Sequence, residues 1–186
     1  WPIIRYQLTD ARAYTTLLSP LVSEKKDFTK ASNWFPEAEV TKPVVESKVN
    51  FYTVTIPKLK IQDARVVIGG EDLSKNLVQY PGTALPGKNG NAVIFGHSIL
   101  PIFYNPKSYM AIFSTLPTLK NGDDIFVEYD GVSYKFKVEE IFEIYPTDIQ
   151  ILEQNNSDSF LTLVTCTPPG DPRNPKRLIV RARVAT

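Results

Sequence analysis

From Ile125 to Ile144 apolar and polar residues alternate with a period of two, and this pattern constrains the fold more than any other in the chain. Ile125, Val127 and Tyr129 share one face, and Val132, Tyr134, Phe136 and Val138 resume the alternation after Asp130-Gly131. A period of two belongs to a strand with one face in a core. Asp-Gly favours the two-residue turn whose twist matches its flanking strands. A β-hairpin is therefore predicted here. Shorter runs rich in β-branched and aromatic residues lie at Phe51–Ile56, Arg65–Ile68, Asn91–Phe95, Leu161–Cys166 and Leu178–Val184, several of them closed by Pro or Gly. Such runs read as further strands.

Helical signals are short, at Asp72–Val78, Ser108–Leu116 and Pro146–Glu153. Strands without helices of about 10–15 residues between them argue against a parallel α/β sheet. The expectation is a mostly β protein, an antiparallel barrel or sandwich, with 15 prolines and 9 glycines spread through long connections.

Residues 1–49 differ in character. Thr9 and Asp10 can cap a short helix carrying Tyr14, Leu17, Leu18 and Leu21, with Pro20 stopping it. A polar run follows, with Pro36 and Pro43, interrupted by the aromatic pair Trp34-Phe35. This part is expected to be an extension wrapped on a core formed by residues 50–186. A chain of 186 residues suffices for one cored domain and such an extension. No apolar run reaches the ~18 residues that a membrane span needs. A chain opening at Trp1 is expected to be a processed product, with any membrane anchor upstream. With 21 basic and 20 acidic residues there is no long-range field to draw nucleic acid, and that partner is not expected.

One cysteine and one histidine are present, so any Cys–His chemistry must pair Cys166 with His97. Cys166 ends an apolar strand and opens into Thr167-Pro168-Pro169-Gly170. His97 likewise ends a strand, just after Gly96. A buried structural thiol is the plain alternative for Cys166, since free cysteine is among the most buried residue types. In the last strand Arg177, Ile179, Arg181 and Arg183 share one face, and Leu178, Val180, Ala182 and Val184 share the other. If this strand flanks 161–166, Arg177 reaches the cysteine, where a fixed cation favours thiolate and holds an oxyanion. Arg173 is a rival for that role. Arg181 and Arg183 read as the charged outer face of an edge strand.

At this point a resemblance emerges. Thr162-Leu163-Val164-Thr165-Cys166, followed by Arg177-Leu178-Ile179-Val180-Arg181, resembles the sortase signature, a TLxTC strand, a loop and a strand opening with arginine. Asn91 to His97 is similar to the strand delivering the family's histidine. Ile56-Pro57-Lys58-Leu59-Lys60-Ile61 resembles its IPKLxI opening, and Tyr80-Pro81-Gly82-Thr83-Ala84 its approach to the histidine strand. The likeness covers about residues 50 to 186 in order. It implies an eight-stranded sortase-type β-barrel and a cysteine transpeptidase with Cys166 as nucleophile, His97 as acid and base, and Arg177 on the carbonyl oxygen. Thr165, Ser98 and Thr167 are expected to bind substrate beside them. The implied substrates are LPxTG-like sorting signals of surface proteins, cut through a thioester. The implied acceptor is an amine of a peptidoglycan precursor or a pilin lysine, on the outer face of a bacterial membrane.

No cofactor is implied, and Glu71, Asp72, Asp123 and Asp124 lack a calcium-loop spacing. Ser98 stands where many sortases have arginine, and the loop from Cys166 to Arg177 is longer than in the pilin-polymerising subgroup. These departures leave the subclass open, with a class D/E-like member the working assignment. Pilin-type sortases cover the cysteine with an aromatic lid. Trp34-Phe35 and Trp1 are candidates here, but there is no Asp-Pro-aromatic motif, so packing on the barrel is the expected role. The rival readings are another thiol enzyme (papain-like or an L,D-transpeptidase), whose local signatures are absent, and a non-catalytic peptide-binding barrel.

Overall fold

In a computed structural model of the chain, which describes residues 27–38, 49–170 and 176–185, eight strands form a barrel, among them every strand predicted from the sequence. They are β1 (Phe51–Ile56), β2 (Ile61–Ile68), β3 (Leu77–Gln79), β4 (Gly90–Phe95), β5 (Asp124–Tyr129), β6 (Val132–Ile144), β7 (Ser159–Thr167) and β8 (Lys176–Val184). The sheet closes in the order β1-β2-β3-β4-β7-β8-β6-β5, with β5 pairing back onto β1. The hairpin is as predicted. Tyr129 pairs with Val132, and both turn residues are left-handed, Asp130 at φ 51° and Gly131 at φ 74°.

The closed eight-stranded barrel agrees with the sequence reading, but its pairing is mixed rather than wholly antiparallel. β2 with β3 and β4 with β7 run parallel; the other six pairings are antiparallel. The second parallel pair arises because the chain leaves β4, forms the β5–β6 hairpin, and returns to start β7 beside the start of β4, Ser159 opposite Gly90. The helical expectations are also corrected. Asp72 turns the chain locally by accepting hydrogen bonds from Ser74 N at 2.9 Å and Ser74 Oγ, so the segment becomes a turn leading into the short β3. Ser108–Leu116 is a run of turns, and only a 3-10 turn at Ile149–Leu152 stands for Pro146–Glu153. The predicted helix near Thr9 to Leu21 lies outside the described residues.

Two apolar clusters flank the barrel wall. Val54, Val66, Ile94, Val127, Leu163 and Val180 belong to the one that fills the barrel. On the outside, Trp34 and Phe35 of the N-terminal segment pack with Val93, Phe95, Val164 and Ile179. Strands β4 and β7 are thus buried on both faces, which is why they read as nearly continuous apolar runs. The faces predicted for β8 are correct, but it lies between β7 and β6 and has no free edge. Arg183 pairs with Asp158 at 3.2 Å and Glu139 at 3.6 Å instead of guarding one.

Candidate active site

Strand parity aims the candidate residues. Val93 and Phe95 point outward from β4, so the next outward position is His97. Val164 points outward from β7, so the next is Cys166. On β8, Ile179 points outward and so does Arg177. Register then brings them together. Phe95 is level with Val164 across the parallel pair, and Cys166 lies directly opposite Arg177 across the antiparallel one. Arg177 Nη1 stands 3.7 Å from Cys166 Sγ. The contact expected from the sequence is therefore made. The rival Arg173 lies outside the described residues.

Past the last paired residues of β4 and β7, three bonds hold the strand ends together. Gly96 N donates to Val164 O at 3.1 Å, Thr165 Oγ1 to Gly96 O at 2.8 Å, and Ser98 Oγ to Cys166 O at 2.7 Å. Position 96 admits only glycine, because a Cβ there would lie 2.4 Å from Phe113 and 2.6 Å from Leu77. Thr167 Oγ1 bonds Glu143 Oε1 at 3.2 Å. The three hydroxyls expected to meet substrate are thus buried and engaged with protein partners.

The residues the sequence reading weighed least are Trp34 and its neighbours. Trp34 is fully buried, stacked on Phe95 at 5.2 Å and tilted against His97 at 6.0 Å. Its carbonyl accepts a 2.9 Å bond from Arg177 Nη2, and the guanidinium lies 5.2 Å from its ring and 5.3 Å from that of Phe28. The segment is tied down beside Asp72: Ala31 N donates to Glu71 O, and Leu73 N to Thr29 O. Packing on the barrel, the expected role, also puts a roof over Arg177, which is only 1% exposed. An aromatic pair inside a polar run was the available signal.

This burial governs the electrostatics. It pushes the Cys166 thiol up, against the downward pull of Arg177. It pushes the His97 imidazole down, partly offset by Asp27 and Asp72. Both directions favour the neutral pair. The imidazole and thiol are not hydrogen-bonded to each other, and His97 Nε2 is buried without a partner among the described residues. Cys166 remains half-buried. The set comprises a latent nucleophile, a proton carrier and a fixed cation, the parts needed to attack a carbonyl and hold the resulting oxyanion. Among the described residues no group of three or more His, Cys, Asp or Glu side chains is placed to hold a metal ion, and no helix is long and apolar enough to cross a membrane.

Fold and site together define a β-barrel protein with a thiol, an imidazole and a guanidinium on three neighbouring strands. The chain belongs to the sortase family, whose Sortase domain matches residues 54–185. It is 25% identical over 146 residues to Sortase A of Bacillus anthracis, covering 77% of this chain and 63% of that one. It spans about half the length of two further curated relatives, both also Sortase A. Among solved structures it is similar to the Sortase D5 transpeptidase of Clostridium perfringens, with a TM-score of 0.63, 26% identity, and coverage of 76% of this chain and 82% of that one. It is also similar to a lid mutant of Sortase A from Corynebacterium diphtheriae, with a TM-score of 0.62, 25% identity, and coverage of 100% and 96%.

Proposed function

We propose that the chain is the catalytic unit of a cysteine transpeptidase, with Cys166, His97 and Arg177 as its working residues. The observation carrying this reading is the register that sets Arg177 opposite Cys166 while the neighbouring parallel strand leads, two residues past its end at Phe95, to His97. The Cys166 thiol gives its proton to His97 as substrate enters, and the resulting thiolate attacks the carbonyl carbon of a sorting-motif residue, the threonine of an LPxTG-like sequence. The carbonyl oxygen takes the negative charge and is held by Arg177. When the C–N bond breaks, His97 as imidazolium gives its proton to the departing amine, leaving a thioester on Cys166. An incoming amine, from a peptidoglycan precursor or a pilin lysine, gives its proton to His97 as it attacks. Collapse of that adduct forms the new amide and frees the thiolate.

Thr165, Ser98 and Thr167 shape the floor beside the nucleophile. Residues 1–49 act as an extension packed on a catalytic barrel of residues 50–186. Its segment 27–38 covers the resting site and keeps the thiol and imidazole neutral until substrate displaces it. The place of action is the outer face of a bacterial membrane. The test measures transfer of a fluorescent LPxTG-like peptide onto an amine by wild type, Cys166→Ala and His97→Ala. Transfer by the wild type alone is expected. Full activity in either variant would end the proposal.

A further inference from the structure

We infer that Ser98 is a positioning residue for Cys166, acting through the backbone and not through substrate. The inference rests on the reading of Cys166 as nucleophile. The β4–β7 ladder makes its last residue pair at Phe95 and Val164. One further backbone bond, Gly96 N to Val164 O, ends the regular pairing. Beyond it the chain after β4 turns away from β7. Phe113 N donates to His97 O at 2.9 Å, and Ile99 N donates to Ser114 Oγ at 2.9 Å. His97 must nevertheless stay level with Cys166, two residues further along the same parallel pair.

Side chains supply the missing rungs. Thr165 Oγ1 reaches back to Gly96 O, and Ser98 Oγ reaches forward to Cys166 O. The two bonds run in opposite senses between the strand ends and bracket the pair His97 and Cys166. Ser98 is only 8% exposed, and its single proton is committed to the nucleophile's own carbonyl. On its other side Cys166 is fixed by ladder pairing to Arg177. Ser98 thus holds the peptide plane that follows the Cys166 Cα, while β8 supplies the guanidinium the sulfur faces. A hydroxyl so used is ill placed to recognise substrate. Its loss lets the sulfur drift from Arg177 Nη1, which now stands at 3.7 Å.

The experiment compares Ser98→Ala, which adds no atoms, and Ser98→Thr, which keeps the hydroxyl, with wild type. One readout is the pH profile of Cys166 alkylation by iodoacetamide, which needs no peptide. The other is kcat and KM for transfer of an LPxTG-like peptide. In Ser98→Ala the alkylation midpoint should rise by at least half a pH unit, and kcat should fall about tenfold or more with KM within twofold. A nucleophile displaced by a fraction of an ångström produces losses of that order. Ser98→Thr should return both toward wild type. The inference is overturned if Ser98→Ala matches wild type in both readouts, if KM rises while kcat holds, or if Ser98→Thr is as impaired as Ser98→Ala at unchanged melting temperature. A wild type that transfers no peptide would refute the transpeptidase reading instead, and alkylation would still decide the role of Ser98.

Discussion

Replacing Arg177 by Gln removes the charge that, among the described residues, pulls the Cys166 thiol down, while keeping a side chain of similar length. At 3.7 Å a pair of unit charges is worth about 4 kcal/mol in an effective dielectric near ~20. That corresponds to about three pH units at ~1.36 kcal/mol per unit. Guanidinium charge is spread over three nitrogens and the sulfur is half-buried, so the lower part of the range of about 1–3 units for close opposite charges is the better expectation. The alkylation midpoint of Arg177→Gln should therefore move upward by about 1–2 units. Because Cys166 is the sole cysteine, mass-resolved labelling with iodoacetamide across pH reads that midpoint without ambiguity. A competing effect has the opposite sign. Arg177 also anchors the Trp34 carbonyl, and release of the roof would hydrate the thiol and lower its midpoint. Arg177→Lys separates the two, since it keeps the charge and loses the planar fork that spans both contacts. If the Gln midpoint does not lie above the Lys midpoint, Arg177 does not set the charge state of Cys166, and the electrostatic argument is wrong.

Two further outcomes follow from the roof and the imidazole. Trp34→Ala should cost about 3–5 kcal/mol of packing, seen as a lower melting temperature. It should also speed Cys166 labelling at neutral pH by wetting the thiol; unchanged labelling in a destabilised variant would show that Trp34 is only a core residue. His97 has a folded-state pKa below its usual 6.5, so its neutral burial contributes stability above that pH, lost as pH falls through the interval down to the folded value. Melting temperature should therefore drop more steeply from pH 7.5 to 5.5 in wild type than in His97→Gln, and parallel curves would contradict the burial argument.

How much of this was legible in the sequence depended on the range of the interactions. The hairpin is local and half-exposed, so alternation and the Asp130-Gly131 turn determine it. Cys166 and Arg177 end and begin strands separated by one loop, so their meeting needed only antiparallel pairing. The parallel partnership of β4 and β7 joins residues about 70 positions apart, such as Asn91 and Phe160, and leaves no periodic mark. Strand β3 has three residues, too few for any period to show. Trp34 sits in a polar run, and its docking depends on the apolar outer faces of strands far away in the chain. The partners of Ser98, Thr165 and Thr167 escaped for another reason. A hydroxyl near a nucleophile reads as a substrate contact until the coordinates show which carbonyl or carboxylate already holds it.

The parallel seam between β4 and β7 has a bearing on engineering. Cys166 and Arg177 face each other through interstrand hydrogen bonding, whereas His97 lies two residues beyond the paired part of β4 and is held also by Phe113 N of the connection that follows it. The connection that follows His97, by contrast, passes beside Gly170, where an added Cβ would meet Leu100 at 3.4 Å, and it carries the exposed apolar side chains of Leu100, Ile102 and Phe103. On the proposed reading, transplanting that connection from another member would exchange this apolar edge and leave Cys166 opposite Arg177, provided Ser98 and Gly170 stay with the frame and not with the graft.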